Sequence, residues 1–450
     1  MNSWQSLVQV CRRWRGLVFG SPRCLNLQLC CTIGTSARIS QGVWPALPLY
    51  IKGNVYKKSV DNVIAELKHS DRIRQILLVL RTTLQIEEIW TQMRVPFPEL
   101  AYLSLANFSS SDVPVLPDSF LGESAPRLRF LRLHSIPFPG LSRLLLSPTH
   151  LVRLYLHNIP HSGYISPEVM ATCLSTLTSL KELLCQFESP QSSPDQESRR
   201  SSSLTRSVLP ALTKFRFKGE NDYLEELVAR IDSPRLHELE ATFFNDINFN
   251  TQELIRFVSH SSTLKAPNQA HIFFDSQTAS VKLQPTIFEY FEEYFEVRIL
   301  CREPDWQLSS LTQICTTSLP LLTTTEDIFI YESKYSQLDW KDRVENIEWL
   351  DLLLPFTAVK NLYLSHQIAP RIAPALQETT RGGTTEVLST LQKLYLEKFL
   401  GSKPVQECIE SFISARQLTN HPVVISVWDR FSGRRIRDME GQERLRSVSP

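Results

Sequence analysis

The sequence has no long hydrophobic run. Its apolar clusters, such as Ile76 to Leu80 and Leu144 to Leu146, are far shorter than the roughly 20 residues that a membrane-spanning helix needs. Near the N-terminus, Arg12, Arg13 and Arg15 interrupt the apolar residues, so the hydrophobic core of a secretory signal is missing. We therefore expect a protein of the cytoplasm or the nucleus that has no membrane partner.

An excess of one charge sign is also missing. The chain has 48 Lys and Arg residues against 47 Asp and Glu residues, which gives a formal net charge of +1. This balance supplies no overall field to attract nucleic acid, so we expect no nucleic-acid partner. The 9 cysteines are odd in number and form no C-x-x-C pair, a pattern that favours buried, reduced thiols.

Common catalytic signatures are absent from the sequence. It contains no G-x-x-x-x-G-K-[ST], G-x-G-x-x-G, H-E-x-x-H or G-x-S-x-G motif. His157 and His161 have the spacing of a zinc-binding pair on a helix, but Pro160 argues against a regular helix and no carboxylate follows at ligand spacing. The sequence therefore predicts a protein that is not an enzyme, with no catalytic residue, no metal, no cofactor and no small-molecule substrate.

What the sequence does contain is a recurring L-x-x-L-x-L unit, in which the last two apolar residues alternate as in a strand. Nine copies are recognisable, and they begin at Ile73, Leu100, Leu128, Leu151, Leu180, Leu212, Leu236, Val359 and Leu391. Successive copies from Ile73 to Leu236 start 23 to 32 residues apart. This spacing leaves room for one short strand and one helix in each unit.

Helical signals lie between several copies. They cover Leu141 to Leu146, Ser166 to Leu177 with Pro167 near the helix start, and Tyr223 to Ile231 with paired carboxylates in the first turn. Such units bury one face only by stacking on their neighbours. The sequence therefore predicts an α/β fold, an irregular leucine-rich-repeat solenoid over residues 31–258, with parallel strands on its concave face and helices outside.

The repeat becomes degenerate in the C-terminal part, residues 259–429. Between Ser259 and Pro304, strand-like alternation covers residues 271–274, 281–283 and 297–300, whereas Phe288 to Phe295 has the aromatic spacing of a helix. Two segments have the composition of disordered chain, namely residues 189–207, rich in Ser, Pro and charge, and the basic tail 430–450.

Several polar and aromatic residues lie between the buried leucines of the predicted strands, where they would face a partner on the concave side. The predicted partner contacts are Tyr102, Arg129, Arg132, Arg153, Tyr155, Lys214 and Arg216. The alternative is that they are ordinary surface residues. Their pattern predicts binding of a protein target, whose identity the sequence does not specify.

The N-terminal segment predicts an amphipathic helix that precedes a turn and a strand. Its apolar face comprises Leu7, Val10, Cys11, Trp14 and Leu17. Residues 10–15, with the sequence VCRRWR, resemble the second half of an F-box, and most of the chain resembles the F-box-like proteins of mushroom-forming fungi, which have irregular leucine-rich repeats. This resemblance implies a substrate-recognition subunit of an SCF-type ubiquitin ligase, whose F-box docks on the linker subunit next to the cullin.

The resemblance also assigns roles to individual residues of this partial F-box and cap, residues 1–30. Leu7, Val10, Cys11, Trp14 and Leu17 would pack the F-box helices, while Arg12 and Arg15 would lie nearer the surface. An F-box normally begins with an LPxE[IL]-like helix, and no such residues follow Met1. Two alternatives therefore stay open, a leucine-rich-repeat scaffold without a ligase or a truncated gene product that does not bind the linker subunit.

Overall fold

The computed structural model describes most of the chain. The described residues are 11–20, 29–32, 47–82, 85–109, 114–148, 150–190, 206–244, 251–261, 264, 267–285, 293–318, 320–333, 346–381, 387–397 and 403–428. They form two compact units. The N-terminal unit comprises residues 1–238 and 260–262, and the C-terminal unit comprises residues 239–259 and 263–450.

The N-terminal unit contains a sheet in which each strand is parallel to the next one in the order given. Its strands are β1 (Leu29–Thr32), β2 (Leu49–Val55), β3 (Ile73–Leu80), β4 (Tyr102–Asn107), β5 (Phe130–His134), β6 (Arg153–Ile159), β7 (Glu182–Phe187) and β9 (Lys214–Gly219). A separate parallel pair consists of β8 (Ser207–Val208) and β10 (Ile231–Asp232). The helices are α1 (Arg12–Gly20), α2 (Val60–Leu67), α3 (Ile86–Gln92), α4 (Leu141–Leu145), α5 (Pro167–Ser175) and α6 (Asn221–Val228).

The C-terminal unit contains a mixed sheet with the strand order β11-β14-β13-β12-β15-β16-β17-β18. The strands are β11 (Glu238–Phe244), β12 (Gln269–Phe274), β13 (Thr278–Gln284), β14 (Tyr294–Leu300), β15 (Asp327–Glu332), β16 (Asn361–Leu364), β17 (Lys393–Glu397) and β18 (Val424–Trp428). β13 is antiparallel to both β12 and β14, and the strands from β12 through β15 to β18 are parallel. The helices are α7 (Gln252–His260), α8 (Pro304–Ser318), α9 (Asn346–Leu353), α10 (Ala369–Arg381) and α11 (Lys403–Leu418).

The prediction of an α/β fold is confirmed, and the L-x-x-L-x-L pattern marks the core. In all nine copies, every one of the three apolar residues is buried, with at most 4% of its surface exposed. Successive residues of a strand face opposite sides of a sheet, so the last two positions of each copy, which are two residues apart, lie on the same buried face. The copies therefore locate β3, β4, β5, β6, β7, β9, β11, β16 and β17.

The helix predictions are confirmed for two segments and need correction in a third. α4 and α5 lie where the pattern placed them, and the Ser166 hydroxyl accepts a hydrogen bond from the Val169 amide at 3.4 Å, as an N-cap residue does. The third helix, α6, ends at Val228 instead of Ile231, because Ile231 belongs to β10 and pairs with Ser207.

The region from 259 to 304 forms antiparallel strands. The alternating segments at 271–274, 281–283 and 297–300 lie in β12, β13 and β14. The predicted helix over 288–295 is wrong at its end, since Tyr294 and Phe295 begin β14 and are buried there. Residues 286–292 lie outside the described residues, as do most of the predicted insert (191–205) and the tail (429–450).

Candidate functional site

The candidate site is a face of the N-terminal sheet, formed by residues that alternate with the buried leucines of β4, β5, β6, β7 and β9. We call it the open face, and its polar and aromatic members are Tyr102, Phe130, Arg132, His134, Arg153, Tyr155, His157, Glu182, Gln186, Lys214 and Arg216. Parallel register aligns them in rows across the strands. One row is Tyr102, Phe130, Arg153, Glu182 and Lys214, and the next contains Arg132, Tyr155 and Arg216.

Six of the seven predicted partner contacts belong to this face. Tyr102, Arg132, Arg153, Tyr155, Lys214 and Arg216 lie in its rows, and each has part of its side chain accessible. The seventh, Arg129, is exposed but precedes β5, which begins at Phe130. Six of the predicted residues therefore share one face of the sheet, and Arg129 lies just before the strand.

Oppositely charged residues pair across neighbouring strands of the open face. The Arg153 Nε donates to Glu182 Oε1 at 3.2 Å, and the Tyr155 hydroxyl also hydrogen-bonds to Glu182. Burial, followed by the hydrogen bond and negative charge of Glu182, raises the pKa of Tyr155 to about 12. Tyr155 is therefore a neutral hydrogen-bond donor at physiological pH and holds Glu182 in place.

A second carboxylate binds two cations at the end of these rows. Glu238 is fully buried, its Oε2 lies 2.6 Å from Lys214 Nζ, and its Oε1 accepts a hydrogen bond from Arg216 Nε at 2.7 Å. Burial opposes ionisation of Glu238, but the hydrogen bonds and positive charges of Lys214 and Arg216 outweigh it and lower the pKa of the carboxyl group. The Lys214 and Arg216 side chains remain 41% and 44% exposed.

Aromatic rings occupy part of the first two rows, on β4, β5 and β6. Tyr102 and Phe130 stack in parallel with their ring centroids 4.2 Å apart, and Tyr155 meets Phe130 edge to face at 5.4 Å. Stacked and edge-to-face pairs of this kind each contribute about 0.5–1.5 kcal/mol beyond their buried area. The rings therefore give the face a rigid centre.

A third row of the open face, next to the row that contains Arg132, is formed by His134 and His157. The rings of His134 and His157 are 5.6 Å apart, and His157 Nδ1 lies 3.1 Å from Gln186 Oε1. Burial and the positive charge of Arg132 lower the pKa of His134; burial is also the largest cause of the lowered pKa of His157. Both imidazoles are therefore neutral at physiological pH.

The sheet of the C-terminal unit carries an aromatic row that sequence reasoning missed. His271, Phe329, Tyr363 and Tyr395 stack across four neighbouring strands at 4.5, 4.1 and 4.2 Å, and Trp428 meets Tyr363 at 5.5 Å. The signal was present, because an aromatic residue stands between the last two apolar positions of the copies at Val359 and Leu391, as Tyr155 does in an earlier copy.

The N-terminal F-box segment is described only in part. Leu7 and Val10 lie outside the described residues, and Trp14 and Leu17 are backbone members of α1. Arg12 and Arg15 are exposed. Cys11 is exposed as well and precedes the first residue of the helix. Its predicted packing against the F-box helices stays a prediction.

No helix in the described part of the chain is long and apolar enough to cross a membrane. Within the same ranges, no group of three or more His, Cys, Asp or Glu side chains could hold a metal ion, and His157 belongs to β6 whereas His161 follows that strand.

Comparison with known proteins adds no family to these observations. No protein-family model matches the chain, and no curated protein matches it. The function is therefore inferred from the side chains of the open face.

Proposed function

We propose that the protein is a non-catalytic interaction adaptor that binds a target protein through the open face. The observation that carries this proposal is the row arrangement of Tyr102, Phe130, Tyr155 and the neighbouring arginines across five adjacent strands. Tyr and Arg are enriched among the residues that dominate protein–protein binding energies. Aromatic packing and cross-strand ion pairs hold these side chains in position before a partner arrives, which reduces the entropy lost on binding.

The adaptor is best interpreted as an irregular leucine-rich solenoid. Three observations support this interpretation: the 23- to 32-residue spacing of successive copies from Ile73 to Leu236, the burial of every apolar position, and the parallel pairing of successive strands from β1 to β7. A stack of such units presents one long row of side chains to a partner, which is how repeat proteins build extended binding surfaces.

We further propose that the protein recognises the substrate of an SCF-type ubiquitin ligase, with α1 as part of the docking segment. The support is the VCRRW likeness at 10–14 and the exposure of Arg12 and Arg15. A scaffold without a ligase connection is the second candidate, favoured by the shortness of the F-box likeness, which rests on residues 10–15. Both candidates use the open face and need no cofactor, and both belong in the cytoplasm or the nucleus.

Changing the centre of the open face is expected to abolish target binding. We expect the double variant Arg132→Glu, Tyr155→Ala to lose about tenfold or more in recovery of its target, because two central contacts are removed and one charge is reversed. The measurement is quantitative mass spectrometry of proteins that co-purify with the full chain from native cells. A matched control, Arg143→Glu with Tyr56→Ala, alters exposed residues outside the face. Equal recovery from both variants would refute binding through the open face.

The proposed ligase connection predicts that a change in α1 removes the ligase subunits and not the target. Reversing the charges of Arg12 and Arg15 in α1 should remove the linker subunit and the cullin from the co-purified proteins and leave the target in place, since these exposed arginines lie far along the chain from the open-face rows. Absence of the linker subunit and the cullin from the wild-type sample, with the target retained, would favour the scaffold.

A further inference from the structure

Arg132 lies at the centre of the open face and has no anionic partner there. Its neighbours on the sheet do: Arg153 pairs with Glu182, and Arg216 pairs with Glu238. Among the described residues, no side chain or backbone oxygen accepts a hydrogen bond from the Arg132 guanidinium, and its Nε is buried without a partner. Because the Arg132 side chain is only part-buried, its N–H groups are available to donate to an acceptor on a ligand.

The side chains next to Arg132 carry no negative charge. Register places Ser104 and Tyr155 beside it, and His134 and His157 occupy the next row. His134 Nδ1 is also buried without a hydrogen-bond partner among the described residues. Beyond His134 lies Phe108, over whose ring the Arg81 guanidinium is placed at 5.3 Å.

The Glu182 carboxylate on this part of the face is already engaged. Glu182 binds both Arg153 and Tyr155, and Gln186, which contacts His157, carries no charge. The groups that face Arg132 and the two histidines are therefore neutral or positive. An arginine fork in such surroundings matches the geometry of a carboxylate.

We propose that the open face binds an acidic peptide segment of the target protein, with Arg132 donating hydrogen bonds to an Asp or Glu carboxylate and His134 and His157 lying beside it. This inference rests on the proposed adaptor function and specifies the partner's chemistry. A peptide fits better than a nucleic acid because Glu182 and Glu238 interrupt the positive charge along the face, and the net charge of the chain is only +1. The stacked Tyr102 and Phe130 rings offer apolar contact to residues that flank the carboxylate.

The test is selection of a random peptide library, displayed on phage, against the full chain. We expect the selected peptides to be enriched in Asp and Glu, and we expect Arg132→Gln to weaken their binding by about tenfold, as the loss of a charge-assisted hydrogen bond implies. The matched control is Arg143→Gln, which removes an exposed cation of α4 outside the open face. Far-UV circular dichroism checks that each variant is folded.

Lowering the pH should strengthen binding of the acidic peptides, because it favours protonation of His134 and His157. Both are neutral in the free protein, and a bound carboxylate favours their protonated form, so binding takes up protons. We expect affinity to rise roughly threefold between about pH 7.5 and about pH 5.5, where Glu remains ionised. The pair His134→Gln, His157→Gln should lose this rise, and His150→Gln, an exposed histidine outside the rows, should retain it.

Selected peptides without acidic residues, the absence of any selected peptide, or equal binding of a single-stranded oligonucleotide of the same charge would overturn the proposal. If native targets still depend on Arg132 and Tyr155 in that case, the adaptor function stands and only the acidic preference fails. If acidic peptides bind but no native protein depends on the face, the adaptor function fails instead.

Discussion

Replacing Phe217 by alanine is expected to lower the free energy of unfolding of the N-terminal unit by about 3–5 kcal/mol. Phe217 is 1% exposed, and its ring lies 6.2 Å from that of Phe187 and 5.7 Å from that of Tyr223. Tyr223 is fixed by a hydrogen bond from its hydroxyl to the Ile165 carbonyl at 2.9 Å, so it is held away from the space that the ring vacates. The truncation therefore removes buried apolar surface and leaves a cavity.

Urea unfolding of the full chain, followed by circular dichroism, measures this loss. The control is Phe108→Ala, which truncates the same side chain where it is 51% exposed and should change stability by only about 0.5 kcal/mol. Equal losses in the two variants would contradict the assignment of Phe217 to the core.

Gly219 provides a second check on the same packing. A Cβ at this position would lie 2.6 Å from the Phe217 ring and 2.8 Å from the Phe187 ring. Gly219→Ala should therefore destabilise the wild type by about 1–3 kcal/mol through overpacking, and less in the Phe217→Ala background, where the added methyl group has space. Additive effects would show that the two residues do not share this space.

The buried positions of the fold could be predicted from the sequence because a strand has a period of two. The alternation within each L-x-x-L-x-L copy identifies the residues that face the core, and stacked neighbouring copies bury each other's apolar faces. The alternation at 297–300 located the end of β14, but its first residues, Tyr294 and Phe295, could not be predicted in this way. Glu296 is buried beside Arg298 of the same strand, whose Nη2 lies 2.8 Å from its carboxylate. Arg298 Nη1 also binds Glu240 of β11 at 3.1 Å, and this contact between two strands is not visible in a local pattern. The aromatic and acidic residues of 288–295 consequently resembled a helix.

The candidate site was predictable in location but not in charge state. Alternation with the leucines placed Arg132, Arg153 and Arg216 on one face, yet it treated the three arginines as equivalent. Their partners come from other strands, as with Arg153 and Glu182, which are 29 residues apart along the chain. Only the three-dimensional structure shows that Arg153 and Arg216 form ion pairs with carboxylates, whereas Arg132 has no described anionic partner.

Neutralising Glu238 is expected to destabilise the N-terminal unit in a pH-dependent way. Glu238→Gln keeps the side-chain shape but leaves Lys214 and Arg216 without their shared carboxylate, and we expect a loss of about 1–3 kcal/mol at neutral pH. The value lies below that for a fully buried pair because both cations are about two-fifths exposed and can be hydrated instead.

The sign of the pH dependence follows from the lowered pKa of Glu238. A carboxyl group whose pKa is lower in the folded protein contributes its stability above its ordinary pKa of about 4.3, and this contribution is lost as the pH falls through the folded value. The difference in unfolding free energy between wild type and Glu238→Gln should therefore be constant above about pH 5 and shrink below it. Glu182→Gln is the matched control, because Glu182 and its partner Arg153 are 23% and 52% exposed and their pairing should contribute less than about 1 kcal/mol. A difference that persists unchanged in acid would mean that Glu238 stabilises the fold by its shape, and equal losses from Glu182→Gln and Glu238→Gln would mean that burial of the carboxylate has no special weight.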